Sequence, residues 1–164
     1  MLRRLFPVVL LALILPGSLP AQGSLPQLDF MGFNPGDTRR EVESLLSSKG
    51  GEWRCASSRV DGRFSECRGT IQPDGMGELN VIGSIINGTT AVLLIEGTVD
   101  DVELTRWVDD LTSRFGNVSA RLANGQAMWQ WTRQRHMIRV TTRIEQGVRI
   151  VSVSLVDGPV LDAL

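Results

Sequence analysis

The chain has 164 residues, 42% apolar and 21% charged, with 17 basic residues against 18 acidic ones. That composition is globular and excludes a disordered tail or a collagen-like repeat. The near-cancellation of charge also excludes a generic nucleic-acid binder, which would carry a basic excess.

Residues 1–23 have the order of a secretory signal peptide. Arg3 and Arg4 come first, then an apolar run from Leu5 to Leu15 interrupted by Pro7, then breakers at Pro16, Gly17 and Pro20, then small residues at Ala21-Gln22-Gly23. The run is shorter than the ~20 residues that span a bilayer, which argues for cleavage over an uncleaved anchor helix. No cysteine stands near the cleavage point to carry a lipid. The expectation is a bacterial protein exported to the periplasm or secreted, with no stable membrane insertion after cleavage.

Residues 24–164 read as a single α+β domain with two similar halves, about 30–97 and 98–158. The first helix opens on Thr38 with Glu41 three residues on, a capping box, and presents Val42, Leu45 and Leu46 on one side. Strands are predicted at 52–58 and 63–71. Two more, Leu79–Ile86 and Thr89–Glu96, are joined by Asn87-Gly88, the strongest short hairpin signal. The second helix is capped by Asp100 and buries Leu104, Trp107, Val108, Leu111 and Phe115 before Gly116 stops it. Strands at 127–133, 136–144 and 149–156 follow, with a short extended piece, Val118–Leu122, before them. The predicted architecture is a two-layer sandwich. Its antiparallel sheet has about six to seven strands, and its two helices cover one face.

Cys55 and Cys67 fit one hairpin. A three-residue loop, Val60-Asp61-Gly62, with Gly62 in the left-handed region sets Arg59 opposite Arg63, Ser57 opposite Ser65 and Cys55 opposite Cys67. Opposed Cβ atoms lie ~4.5–5.5 Å apart, close to disulfide geometry, and an exported compartment permits the bond. A metal site fails for want of ligands, since His136 is the only histidine. A redox pair lacks the C-x2-C spacing.

The last hairpin can be registered by patterning. With Ile144 opposite Arg149, the pairs Thr142–Val151, Val140–Val153 and Ile138–Leu155 gather the aliphatics on one face, and a slip of one residue mixes in Ser152 and Ser154. The preceding hairpin then sets Trp131 opposite Ile138 and Trp129 opposite Val140. The other face carries Gln130, Thr132, Met137, Arg139, Thr141, Arg143, Ser152 and Ser154.

The segment Met31-Gly32-Phe33-Asn34-Pro35-Gly36-Asp37-Thr38-Arg39-Arg40-Glu41-Val42 resembles the G-x-x-x-G-x-T-x-x-E-V pattern of small envelope proteins of the SmpA/OmlA (BamE-like) type. The tandem helix-plus-sheet layout with a short-range cysteine pair is similar to the β-lactamase inhibitory protein fold. Neither family is catalytic, so the resemblance implies a binding or scaffolding module and assigns no catalytic residue.

The sequence carries no nucleophile elbow, no zinc-protease helix and no phosphate-binding loop, and no cofactor is expected. His136 is either a general base in a small exported hydrolase or an exposed turn histidine. No nucleophile and orienting group accompany it in sequence, which favours the second. The feature with most weight is a run of arginines. Arg133 and Arg135 flank a turn, and Arg139 and Arg143 share the outer sheet face. Arginine forms bidentate pairs with carboxylate or phosphate, so this face suits an acidic protein partner or an anionic ligand; a merely solvated face is the plain alternative. The expectation is a non-enzymatic binding or scaffolding module, with a purely structural envelope protein as the rival.

Overall fold

The computed structural model describes residues 27–163; the expected signal peptide, residues 1–23, lies outside the described residues. Two tight turns begin the described chain. Phe30 and Phe33 exchange backbone hydrogen bonds of 2.9 Å around Met31 and Gly32. Asp37 N–H then donates to Asn34 O at 3.2 Å, closing a turn with Pro35 second and Gly36 third. Gly36 has φ of 83°, the left-handed value that the third residue of a type II turn needs. The outcome is to bury Phe30 and Phe33 and to deliver the chain to the first helix.

Helix α1 (Arg39–Ser48) has the predicted capping box, with Thr38 accepting from Glu41 N–H and Glu41 accepting from Thr38 N–H. Val42 and Leu46 are fully buried, and Leu45 packs against the same core. A meander follows: β1 (Trp53–Ser57), β2 (Phe64–Ile71), β3 (Leu79–Ile86) and β4 (Thr89–Thr98). Asn87 and Gly88 both take positive φ in the tight β3–β4 turn. Helix α2 (Asp101–Phe115) is capped by Asp100, which accepts from Glu103 N–H at 2.8 Å, and buries Trp107, Leu111 and Phe115. The second meander is β5 (Arg121–Ala123), β6 (Gln126–Arg133), β7 (His136–Glu145) and β8 (Val148–Asp157), and helix α3 (Gly158–Asp162) ends the described chain.

The fold is therefore α+β, but the sheet has eight strands rather than six to seven, and three helices rather than two. The extra strand is β5, a three-residue edge piece that turns into β6 at Asn124-Gly125, both at positive φ. The extra helix is α3, started by Asp157 as N-cap with Pro159 in its first turn. Strand order is β1-β2-β3-β4-β8-β7-β6-β5, all antiparallel, so the two meanders meet through their last strands.

Both registers in the second half are as the alternation requires: Ile138, Val140 and Thr142 face Leu155, Val153 and Val151, and Trp131 and Trp129 face Ile138 and Val140. Cys55 lies opposite Cys67 and the two are joined by a disulfide. The loop between them is wider than predicted. Pairing ends at Ser57–Ser65, Arg59 does not face Arg63 across the ladder, and Gly62 keeps an ordinary φ. The reason is local bonding: Ser58 Oγ accepts from Val60 and Asp61 N–H, and the Asp61 carboxylate holds Arg63, so the turn is built from side chains.

One face of the sheet is dry. Trp53, Val81, Ile95, Val153 and Val140 lie on one row across the strands, and Cys67, Leu93, Leu155, Ile138 and Trp131 on the next. All are buried. They share a core with the phenylalanine turn, α1 and α2, and Phe30 meets Trp107 edge-on with centroids 5.0 Å apart. Burial of large aromatics stabilises by ~1.5–3 kcal/mol each. Among the described residues no helix is long and apolar enough to cross a membrane.

Candidate functional site

Successive side chains of a strand alternate between faces, so the residues between the dry rows look the other way. Helices α1 and α2 are on the dry side, which leaves the second face open except at the corner beside α3. Its central row is Arg54, Arg68, Ile82, Leu94, Ser154, Arg139 and Gln130, read across the strands. Beside it run Ala56, Glu66, Ser84, Val92, Val156, Met137 and Thr132. On the far side are Thr70, Asn80, Glu96, Ser152, Thr141, Met128 and Arg121. Arg143 lies at one end, opposite Ile150. The middle of this face is aliphatic and half-buried, and its charges stand around it.

Arg139 and Arg143 are both on the open face, as their alternation requires, but they sit in different surroundings. The Arg139 guanidinium donates twice to Gln130 Oε1, at 3.1 and 2.9 Å, and to Met137 Sδ at 3.6 Å. These acceptors are neutral, and no carboxylate among the described residues pairs with Arg139. Arg143 is enclosed instead. It donates to Glu145 at 2.5 Å, to Glu96 at 3.2 Å and to Ser152 Oγ at 2.7 Å, and Ser152 in turn bonds Glu96. The hydrogen bond that Arg143 donates to Glu145, with Glu96 behind it, holds the Arg143 pKa above its ordinary value. The two arginines of the face are therefore not equivalent: Arg143 is neutralised, and Arg139 is held by an amide while keeping its charge.

The other two arginines are elsewhere. Arg133 shares the dry-side parity of Trp131, stacks on Phe115 with its guanidinium carbon 5.5 Å from the ring centroid, and donates to Phe115 O at 3.3 Å. Arg135 lies in the β6–β7 turn at φ of 69° and pairs with Asp162 of α3. The four do not form one surface. In their place the fold brings Arg54, Arg68 and Arg121 to the open face. Arg121 comes in through the consecutive hairpins β5–β6–β7, whereas Arg54 and Arg68 lie far away in sequence, on β1 and β2, and only the sheet order sets them in the row of Arg139.

His136 lies opposite Asp157, with Nε2 3.5 Å from Asp157 Oδ2. Asp157 is nearly buried and also caps α3 through Val160 N–H at 2.9 Å. It abuts Gly36, where any added Cβ would overlap the carboxylate. No serine, threonine or cysteine among the described residues hydrogen-bonds the imidazole, so a base is present without a hydroxyl or thiol to activate. Among the described residues no three His, Cys, Asp or Glu side chains converge as a metal site would need.

Comparison of the chain with protein families, with curated proteins and with solved structures finds no match.

Proposed function

We propose that the chain is an exported, non-enzymatic binding module that recognises an acidic protein partner through the open face of its sheet. The observation that carries this reading is Arg139. It is half-buried, fixed by the Gln130 amide and flanked by Ser154, Met137 and Thr141, and its charge has no carboxylate partner among the described residues. A guanidinium held in that way is pre-organised for an incoming carboxylate and loses little freedom on binding. The wider face agrees: five arginines, 54, 68, 121, 139 and 143, stand against Glu66, Glu96 and Glu145, on a chain whose net charge is −1. An excess of positive charge also disfavours pairing of this face with a second copy of itself. Export is supported by the order of residues 1–23 and by a disulfide of the kind that persists in oxidising compartments.

The test is capture from envelope extract by the mature chain and by two variants. Arg139→Glu should lose an acidic partner that wild type retains, and the captured complex should weaken as salt rises. Arg68→Glu, on the same row, should weaken it less, because Arg68 already pairs with Glu66. A partner bound equally by wild type and Arg139→Glu would overturn the reading.

A further inference from the structure

Helix α3 is short and carries the apolar pair Val160-Leu161, yet none of its residues is buried. It is held in place at points that do not involve those side chains. Asp157 caps its start, Gly158 N–H donates to Arg135 O at 3.0 Å, and Asp162 pairs with Arg135. The helix thus stands over one corner of the open face, on posts set in the β6–β7 turn and the end of β8. Beside it is a hollow of about 500 Å³, open to solvent, lined by residues of β1 to β4 and by Leu161 on the helix side.

The hollow exists because of what the sequence puts on its floor. Ala56, Ser65, Ser84 and Ala91 are small. Ala91 is the extra residue of a bulge, since Ser84 faces Val92 while Ile85 faces Thr90. Phe64, Ile86 and Val92 form apolar walls. A protein's own side chains normally fill such a space to crystal-like density; here a helix with an unburied apolar pair is fixed beside a floor of small residues and the space is left.

The charges around it select the ligand. Arg54, Arg63 and Arg68 are each paired with a carboxylate, Glu52, Asp61 and Glu66 respectively. Of the described residues lining the hollow only Glu66 is charged, and Arg68 pairs with it, so the lining itself presents no unpaired charge. The hydrogen-bonding groups are hydroxyls. Ser57 and Ser65 bond each other at 3.3 Å, Ser58 Oγ serves its own loop, and Ser84 Oγ has no partner among the described residues. The volume falls in the ~300–1,000 Å³ range of small-molecule sites, which are mostly apolar with a few placed polar groups.

We propose that this hollow is a binding site for a small uncharged molecule with an apolar body and one hydrogen-bonding group, its body between Val92 and Leu161 and its polar group at Ser84. The site is separate from Arg139 and does not depend on the partner proposed above.

The probe is N-phenyl-1-naphthylamine, an uncharged aromatic fluorophore with one N–H, titrated into the mature, oxidised chain. Saturable enhancement at one site per chain is expected, insensitive to salt. Ser84→Trp fills the floor from an exposed position and should weaken binding about tenfold or more without moving the unfolding midpoint. Leu161→Asp on the helix side should do the same, and gives a second reading if the tryptophan disturbs β3. Arg139→Glu should bind the probe as wild type does, which separates this site from the partner face. No saturable enhancement with folded wild type, or affinity unchanged in both Ser84→Trp and Leu161→Asp, would overturn the proposal. Tighter binding of the anionic analogue 1-anilinonaphthalene-8-sulfonate would overturn the uncharged class.

Discussion

The indole of Trp53 lies on Gly83, two strands away: a methyl group built on Gly83 would overlap Trp53 Cζ2 and come within 3.0 Å of Cη2. Trp53 is buried at the start of an edge strand, and its ring reaches inward across β2 to β3 because Gly69 and Gly83 leave the room. Gly83→Ala is therefore expected to destabilise the fold by about 1–3 kcal/mol, the usual cost of overpacking a filled core. The effect should be less than additive with Trp53→Leu, which removes the ring that the methyl meets. Denaturant midpoints of the two single variants and the double variant measure this coupling.

Trp107 is the anchor of α2. It is 5% exposed, meets Phe30 edge-on and donates its Nε1–H to Glu103 Oε1 at 2.7 Å. Trp107→Ala should cost about 3–5 kcal/mol, as large aromatic truncations do. A midpoint indistinguishable from wild type in urea would show that the helix does not dock through this side chain.

The disulfide closes a loop of sequence separation 12 on the β1–β2 hairpin. Chain-entropy reasoning for so short a loop gives at most about 3 kcal/mol. Cys55→Ser with Cys67→Ser should lower stability by up to that amount while leaving the sheet intact, since Ser57–Ser65 and Trp53–Gly69 still pair on either side. Thiol titration of native protein should find no free cysteine.

Glu41 carries a pH signature. Its carboxylate accepts from Thr38 N–H at 2.7 Å and from Thr38 Oγ1 at 2.8 Å, and the backbone bond above all holds its pKa below the ordinary value. A depressed carboxylate contributes stability that is present above its unfolded pKa and is lost as pH falls through the folded one. Asp37 has the opposite sign, because burial holds its pKa above the ordinary value and protonation favours the folded state. Comparing wild type with Glu41→Gln at each pH removes most of the Asp37 contribution. The stability of wild type relative to the glutamine variant should fall as the solution is acidified below the glutamate range, and stay level above it.

Charge reversal should separate the two open-face arginines. Arg143→Glu sets a carboxylate against Glu96 and Glu145 and leaves Ser152, 3% exposed, without its donor. It should cost about 1–2 kcal/mol more than Arg139→Glu, the scale of a charged hydrogen bond. Thermal unfolding of both variants in low salt reads the difference. For that reason Arg139 alone, rather than both together, is the clean probe of binding.

What could be read in the sequence was whatever depends on neighbours. The β7–β8 register follows from alternation, because a slip would turn Ser152 and Ser154 into the core. The capping box at Thr38 and the turn at Asn87-Gly88 are likewise local. β5 is legible in sequence only as the extended piece Val118–Leu122, because its three residues are all exposed and show no alternation. Helix α3 is too short to show a period, although Asp157 followed by Pro159 is the start signal of a helix and was there to be read. The quenching of Arg143 was out of reach for another reason. Glu96 lies 47 residues away and becomes its neighbour only when β4 pairs with β8. The same pairing brings Arg54 and Arg68 into line with Arg139.

That seam has a kinetic meaning. Every hydrogen-bonded strand pair joins consecutive strands except β4 with β8. Hairpins close quickly because little chain must be gathered, whereas a contact across more than fifty residues waits on loop-closure entropy. On that ground each meander is expected to form on its own half of the chain before the two join into one sheet, an order that stopped-flow refolding of variants in β4 and β8 would check. Until then, β4 and β8 are unpaired edges rich in valine, leucine and isoleucine, the most adhesive strands in the molecule. A newly made chain is most vulnerable to misassembly in that interval, and a variant that slows the seam without weakening the finished fold would be lost to aggregation rather than to unfolding.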